Sequence, residues 1–533
     1  MKVKPRTIIA VLITAGLCAI YTSLPFVGTV SLTNIALRIL VSCFFLIAIL
    51  CVFYRIAPTI INKIHCPKIE NKIYNMWTNR RFVFILWGIL LICWLPTYLA
   101  FFPGIFGYDA PIQMQQLMKE APFSAHHPIF HTFILGGFME CGKTIFGSYN
   151  GGVALFCMFQ SILVTGSIAY SFLFMKTKRT PFPILAITFL GCACNPVLQV
   201  LSFNITKDIL FGVCFLHFIL CCHKWLEKQI VHTKSDILLL MFWGIMSCLL
   251  RNQGKYIILA LLLLCLILYR TDRKLLLSLG IIVIISQLFF TASTNVFGVK
   301  KTDDREMLSI PMQQMAFVCK LYMQQEAVNL TPDEFQKFTL LIDAKYLENY
   351  RQDISDPVKS YFNTAVLKED LPGYVKLYFS IGVKNPGYYL MAMRNMIYPY
   401  WDMTLSQFRY LCVENTFPHV STKWGIEQTS LFPSYKACIT DFILNTLGNK
   451  SSVITWLFQP GISIWILTAL LGIAIVQNNK IILMGTLIPF LFFGTLLLGP
   501  VALYRYIFPL MLATPWTITL LCNSLECNGY NKQ

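Results

Sequence analysis

Apolar residues gather into twelve long runs along the chain, near 7–24, 31–54, 82–101, 150–175, 182–203, 208–223, 237–250, 256–269, 275–296, 453–476, 481–498 and 502–521. Most are long enough to cross about 30 Å of hydrocarbon, which takes roughly 20 helical residues. Those at 237–250 and 256–269 are short. Polar residues do not alternate with apolar ones inside the runs, and lipid leaves no backbone polar group without a partner, so helices rather than barrel strands are expected. The pattern predicts an all-α polytopic membrane protein of about twelve transmembrane helices.

The polar connections divide by charge. With the N-terminus in the cytoplasm, one face carries Lys2, Lys4 and Arg6, the loop from Arg55 to Arg81, Lys176 to Arg179, Lys224 to Lys234, Arg270 to Lys274, Lys480 and Lys532. With the adjoining Asp236 and Glu526 counted, this face holds twenty basic residues against five acids, the positive-inside asymmetry, and both termini come out cytoplasmic. The run after Met1–Arg6 reads as an anchor, because no small-x-small cleavage site follows it and a second run begins at once. Four regions result: two N-terminal transmembrane helices with a basic loop (1–80), a seven-helix module (81–296) with a long first loop (102–149), an extracytoplasmic domain (297–452), and three C-terminal helices with a short cytoplasmic tail (453–533). The domain at 297–452 is expected to be mainly helical; Thr331-Pro332-Asp333-Glu334 reads as a capping-box helix start.

Composition agrees with a membrane protein. Of 533 residues 56% are hydrophobic and 13% charged, against roughly 25% charged in a soluble domain. This excludes a soluble enzyme. The net charge of +18 would suggest nucleic acid in a soluble chain. Here it is largely orientation, since 297–452 balances at 16 basic and 16 acidic residues. Most of the 19 cysteines lie inside apolar runs, and no C-x-x-C pair occurs, so neither zinc nor a redox centre is inferred.

Candidate chemistry concentrates on the outer face. The first loop reads Phe102-Pro103-Gly104-Ile105-Phe106-Gly107-Tyr108-Asp109-Ala110-Pro111, then Gln113, His126-His127-Pro128 and His131. Asp109 reads either as the cap of a short helix from Pro111 to Lys119 or as a general base taking a proton from an attacking hydroxyl. Capping alone explains neither the histidines nor the length of the loop. His126, His127 and His131, with His at i and i+4 able to share a helix face, suit a metal or simple hydrogen bonding at a helix start; without a second nearby acid no metal is assigned. Lys207-Asp208 at a helix end is either a functional charge pair or an interfacial Lys paired with its neighbour. Arg251 and Arg505 bring further cations to the same face. Convergent Arg and Lys there suit a lipid phosphate or pyrophosphate.

A span, a first outer loop with one acid and two short juxtamembrane helices, then six more spans, resembles the GT-C superfamily of glycosyltransferases that use polyprenyl-phosphate sugars, among them protein O-mannosyltransferases and aminoarabinose transferases. Pro103-Gly104 with Gly107-Tyr108-Asp109, His126-His127-Pro128, Lys207-Asp208, Ser309-Ile310-Pro311 with Gln313-Gln314, and Arg505-Tyr506 with Pro509 are similar to an uncharacterised bacterial membrane family of that group. The module would run from about Arg81 to Asn295, with juxtamembrane helices near 111–120 and 129–146.

The resemblance implies a cell-membrane glycosyltransferase with its active site outside the cytoplasm. It moves a sugar from a polyprenyl-phosphate donor to a cell-envelope glycan, lipid or protein. Asp109 is then the catalytic base; Lys207, Arg251 and Arg505 bind the donor phosphate; Tyr108, Gln113, His126, His127 and Asp208 support the site or its acceptor side. Several relatives carry an acidic pair where this chain has Asp109-Ala110, so a divalent metal is not favoured and no other cofactor is implied. A secondary transporter and a lipid-linked glycan ligase or flippase remain as alternatives; the first usually shows two related halves, which this sequence lacks.

Overall fold

The computed structural model describes residues 5–23, 32–228, 232–270, 272–403, 411–446 and 458–530. Lys2, Lys4 and Lys532 of the basic face, and the boundary at 452/453, lie outside the described residues. Secondary structure there is helical throughout, with only isolated β-bridges between segments. Each apolar run falls on a helix in its described part. Five helices are long and apolar enough to cross a membrane: Asn79–Ala100, Tyr149–Thr177, Lys207–Glu227, Arg273–Val296 and Tyr504–Leu525. A bent pair, Phe182–Cys194 and Pro196–Ser202, makes a sixth if taken as one broken span; its two parts meet at 52°. Among the described residues the protein is therefore all-α, with five or six helices of membrane-crossing character.

Sequence explains the break. Asn195 caps the second part by accepting from Leu198 N, and Pro196 occupies its first turn, where a missing N–H costs nothing. The polar groups freed there are satisfied inside the bundle. Gln199 bonds Thr97 and the Ala193 carbonyl, and Gln160 Nε2 donates to the carbonyls of Ser202 (2.7 Å) and Asn204 (2.8 Å). Such pairing is what allows irregular backbone within an apolar bundle.

The two short helices expected in the first loop are Ala110–Leu117 and Ile129–Phe146. The second lies tightly against Tyr149–Thr177: a Cβ on Gly142 would fall 1.9 Å from Gly152 N, so only glycine permits this approach. The helix Lys207–Lys228 is the most deeply buried of the five. It packs against Lys234–Leu250, Tyr149–Thr177 and Tyr504–Tyr530.

Within 297–452 the described residues divide by their packing. Residues from Met312 to Ala392 form their own core around Phe338, Ile342, Leu347 and Ile381. Met396, Ile397, Tyr400, Trp401 and Ile426 join the core of the long helices instead. Trp401 Nε1 donates to the Tyr21 carbonyl and Trp465 Nε1 to the Trp401 carbonyl, tying this stretch to the first and a late helix. The capping box at Thr331 and Glu334 is formed, and Pro332 opens that helix.

Candidate functional site

The loop after Asn79–Ala100 is stitched to the far end of the broken helix. Ile105 N donates to the Phe203 carbonyl (2.9 Å) and Ile205 N to the Ile105 carbonyl (3.0 Å), a short parallel bridge. Gly104 makes this approach possible: its φ is +140°, and a Cβ would fall 2.2 Å from Cys157 Sγ. The bridge brings Asp109 beside the segment that opens the helix Lys207–Lys228.

Asp109 occupies the cap position of Ala110–Leu117 without capping it, since its side chain makes no bond to the helix N–H groups. Its carboxylate meets cations instead. Lys207 Nζ lies 3.0 Å from Oδ2. Arg505 reaches both oxygens, NH1 to Oδ2 at 3.3 Å and NH2 to Oδ1 at 3.4 Å, the fork geometry that suits guanidinium to carboxylate. His127 Nδ1 stands 3.8 Å from Oδ2. Burial pushes the Asp109 carboxyl up, but the Arg505 and Lys207 cations outweigh it and hold the group well below the usual carboxylate range. Asp109 is ionised. His127 itself is driven down to about 3 by burial and by the Lys207 ammonium, so its ring is neutral.

Lys207 and Asp208 do not pair with each other. Asp208, wholly buried, forms an ion pair with Arg251, accepts from Thr206 Oγ1 (3.1 Å) and has Arg505 Nε 3.6 Å away. Arg251 also stacks over the rings of Phe211, Phe492 and Tyr506 at 4.9 to 5.7 Å from their centroids. Arg505 lies 4.2 Å from the Tyr108 ring centre and 4.9 Å from that of Tyr506, so both arginines are held by aromatic faces as well as by carboxylates. Tyr108 takes a left-handed backbone (φ 54°), and its hydroxyl accepts from Cys412 N at 3.1 Å, which fixes the ring beneath Arg505.

These groups form one wall of a polar cavity of about 250 Å³ that Asp109, Lys207, Arg251, Arg505 and Tyr506 line. His126 lines it too, whereas His127 faces a neighbouring groove. That groove is largely apolar, shares Pro128 and Asn252 with the cavity, and runs beside Ser286, Phe289, Phe290 and Ser293 of the helix Arg273–Val296.

Gln113 stands apart from the cavity. It is 1% exposed, its Oε1 lies 3.1 Å from His131 Nδ1, and its Nε2 donates to Thr132 Oγ1, so it locks the helices Ala110–Leu117 and Ile129–Phe146 together. His131 is likewise buried; desolvation and Lys207 lower it to about 4. Among the described residues no group of three or more His, Cys, Asp or Glu side chains is placed to hold a metal ion.

The opposite wall comes from the 297–452 region. Glu306, Asp356 and Lys359 line the same cavity, and the sequence singles out none of them. Lys359 Nζ lies 2.7 Å from both Glu306 Oε2 and Asp356 Oδ1, and His126 Nδ1 is 3.7 Å from Glu306 Oε2. The only sequence signal is the dense run Asp303-Asp304-Arg305-Glu306, which resembles any solvated turn.

Residues 118–529 match the family of unknown function DUF6020, and the chain belongs to that family. No curated protein and no solved structure is similar to it.

Proposed function

We propose that the protein is a membrane glycosyltransferase that moves a sugar from a polyprenyl-phosphate donor to an acceptor hydroxyl on the outer side of the cell membrane. In this reading the twelve apolar helices all cross the membrane, both termini are cytoplasmic, and 81–296 is a GT-C-type module. The observation that carries it is an ionised carboxylate, Asp109, held against Lys207 and Arg505 on the wall of a polar cavity that adjoins an apolar groove. The phosphate of the donor suits the cations, and the small apolar groove beside them is where its tail would leave the cavity.

Asp109 takes the proton of the acceptor hydroxyl as the oxygen bonds to the anomeric carbon. The bond from that carbon to the phosphate oxygen breaks, and the electron pair leaves with the phosphate. Arg505 and Lys207 offset the charge that grows there. While both cations hold it, Asp109 is a weak base. A phosphate that draws them away raises its basicity, so donor binding prepares the base. Arg251 is committed to Asp208 and steadies Arg505 rather than gripping the phosphate alone.

A secondary transporter is the second reading, favoured by one observation: the buried Asp208–Arg251 pair lies where apolar helices meet, as charges on an ion pathway do. A lipid-linked glycan ligase or flippase shares the basic outer face. Purified protein incubated with a lipid extract containing polyprenyl-phosphate sugars separates these. Loss of sugar from the lipid supports transfer; ion- or substrate-driven flux in proteoliposomes without sugar loss refutes it.

A further inference from the structure

The cavity is electrically divided. Its inner wall sets Lys207, Arg251 and Arg505 against Asp109 and the buried Asp208, an excess of one positive charge. Its outer wall sets Glu306 and Asp356 against Lys359, an excess of one negative charge. His126, between them, is neutral near pH 7, since burial and Lys207 lower it. Arg505 Nε, buried in the inner wall, makes no hydrogen bond.

Backbone contacts hold the outer wall where it is. Ser355 N donates to the Pro500 carbonyl (3.0 Å), and Ile354 bridges Val501. Lys359 N then donates to the Ser355 carbonyl (2.9 Å). The turn that leads into Arg505 therefore also anchors the Asp356–Lys359 helix, and the two walls face each other across a fixed gap.

We propose that Glu306, Asp356 and Lys359 form the acceptor subsite, and that they select an uncharged, hydroxyl-rich group, a sugar or polyol, over a phosphate-bearing one. This rests on the transferase reading above. Sugar hydroxyls both donate and accept: they give hydrogen bonds to Glu306 and Asp356 and take one from Lys359. A phosphate only accepts and carries negative charge, so the two carboxylates repel it, while the inner wall attracts it. One cavity thus sorts its two substrates by charge, the donor's phosphate inward and the acceptor's hydroxyls outward.

The test uses the full-length protein in nanodiscs of neutral lipid. Saturation-transfer NMR reads binding of methyl glucoside, methyl galactoside, methyl mannoside and ribitol, with glycerol 3-phosphate as the anionic competitor. Native mass spectrometry reads binding of polyprenyl monophosphate. At least one neutral probe should bind the wild type and bind Glu306→Gln about tenfold more weakly, as expected for loss of a charge-assisted hydrogen bond. Glycerol 3-phosphate should gain binding in Glu306→Gln, and polyprenyl monophosphate should bind both proteins alike. Asp356→Asn, at a more exposed position, should show the same trend should Glu306→Gln not fold. Neutral probes that bind wild type and both variants equally, that bind none of them, or that glycerol 3-phosphate displaces from wild type overturn the proposal. Failure of polyprenyl monophosphate to bind, with Glu306-dependent polyol binding retained, removes the donor assignment and leaves the polyol subsite standing.

Discussion

Lys207 and Asp208 are neighbours in the chain yet serve different partners: Lys207 Nζ sits 3.0 Å from Asp109, while Asp208 is buried against Arg251. Two ion pairs therefore run side by side: the first lines the cavity, and in the second Arg251 reaches the cavity wall while Asp208 is buried behind it. Removing Arg251 leaves a carboxylate in the bundle with only Arg505 Nε, 3.6 Å away, to offset it. Arg251→Met is expected to destabilise the protein by about 3 kcal/mol, the low end for a broken buried pair. Arg251→Met with Asp208→Leu should recover most of that loss. Denaturant unfolding in detergent measures both; a single variant as stable as wild type contradicts the pairing.

Asp109→Asn keeps the side chain's size and removes its charge. Membrane insertion should stay close to wild type, the thermal midpoint should fall because Arg505 and Lys207 lose their carboxylate partner, and sugar transfer should fall at least about 100-fold, the usual range for loss of a general base. Transfer at the normal rate by this variant would remove Asp109 from the chemistry.

Arg505→Lys retains a cation but loses the fork that reaches both Asp109 oxygens. The variant should need several-fold more donor lipid for half-maximal transfer, with a smaller change in the rate at saturation. A reconstituted assay with varied donor decides it, and an unchanged donor requirement counts against a phosphate contact.

Acid sensitivity should come from histidines rather than from Asp109. His127 and His131 are held near 3 and 4, below the value of about 6.5 that they take when unfolded. Between those values the unfolded chain binds more protons, so stability falls as pH drops from about 6.5 toward 4. Asp109 acts in the same sense but lower in pH: its depressed value adds stability above about pH 4 that is lost only in stronger acid. His127→Gln with His131→Gln should flatten the decline in thermal midpoint between pH 6.5 and 4.5. An equally steep decline in the double variant would show that other groups titrate there.

Gly104→Ala should abolish transfer by disrupting the bridge that carries Asp109. Cys157→Ala removes the sulfur 2.2 Å from the new methyl group but leaves the φ of +140°. The double variant is thus expected to recover only part of the activity of wild type. Full recovery would make crowding, not backbone conformation, the reason for glycine.

The sequence makes the helices legible because burial in lipid demands long apolar runs, and all twelve fall on helices in their described parts. Asp109, Lys207 and Arg505 were legible for the converse reason: a charge at the edge of such a run is costly and needs a partner. Glu306 and Lys359 were not, because in a stretch of 16 basic and 16 acidic residues no single charge stands out. Gln113 shows a different limit. An amide beside a candidate acid reads the same whether it faces a cavity or, as here, braces His131. The short reading of Lys207-Asp208 as a self-contained pair failed because a helix start points adjacent side chains in different directions.

The stitch between Ile105 and Phe203–Ile205 makes the Asp109 loop and the Lys207 segment a single lever arm, although nearly a hundred residues of chain separate them. Arg505 rides on a separate helix. It reaches that arm only through its side chain, at Asp109, Thr206 and Asp208. The two cations that hold one carboxylate thus have unequal grips: Lys207 is tied to it through the backbone stitch, and Arg505 only across helices.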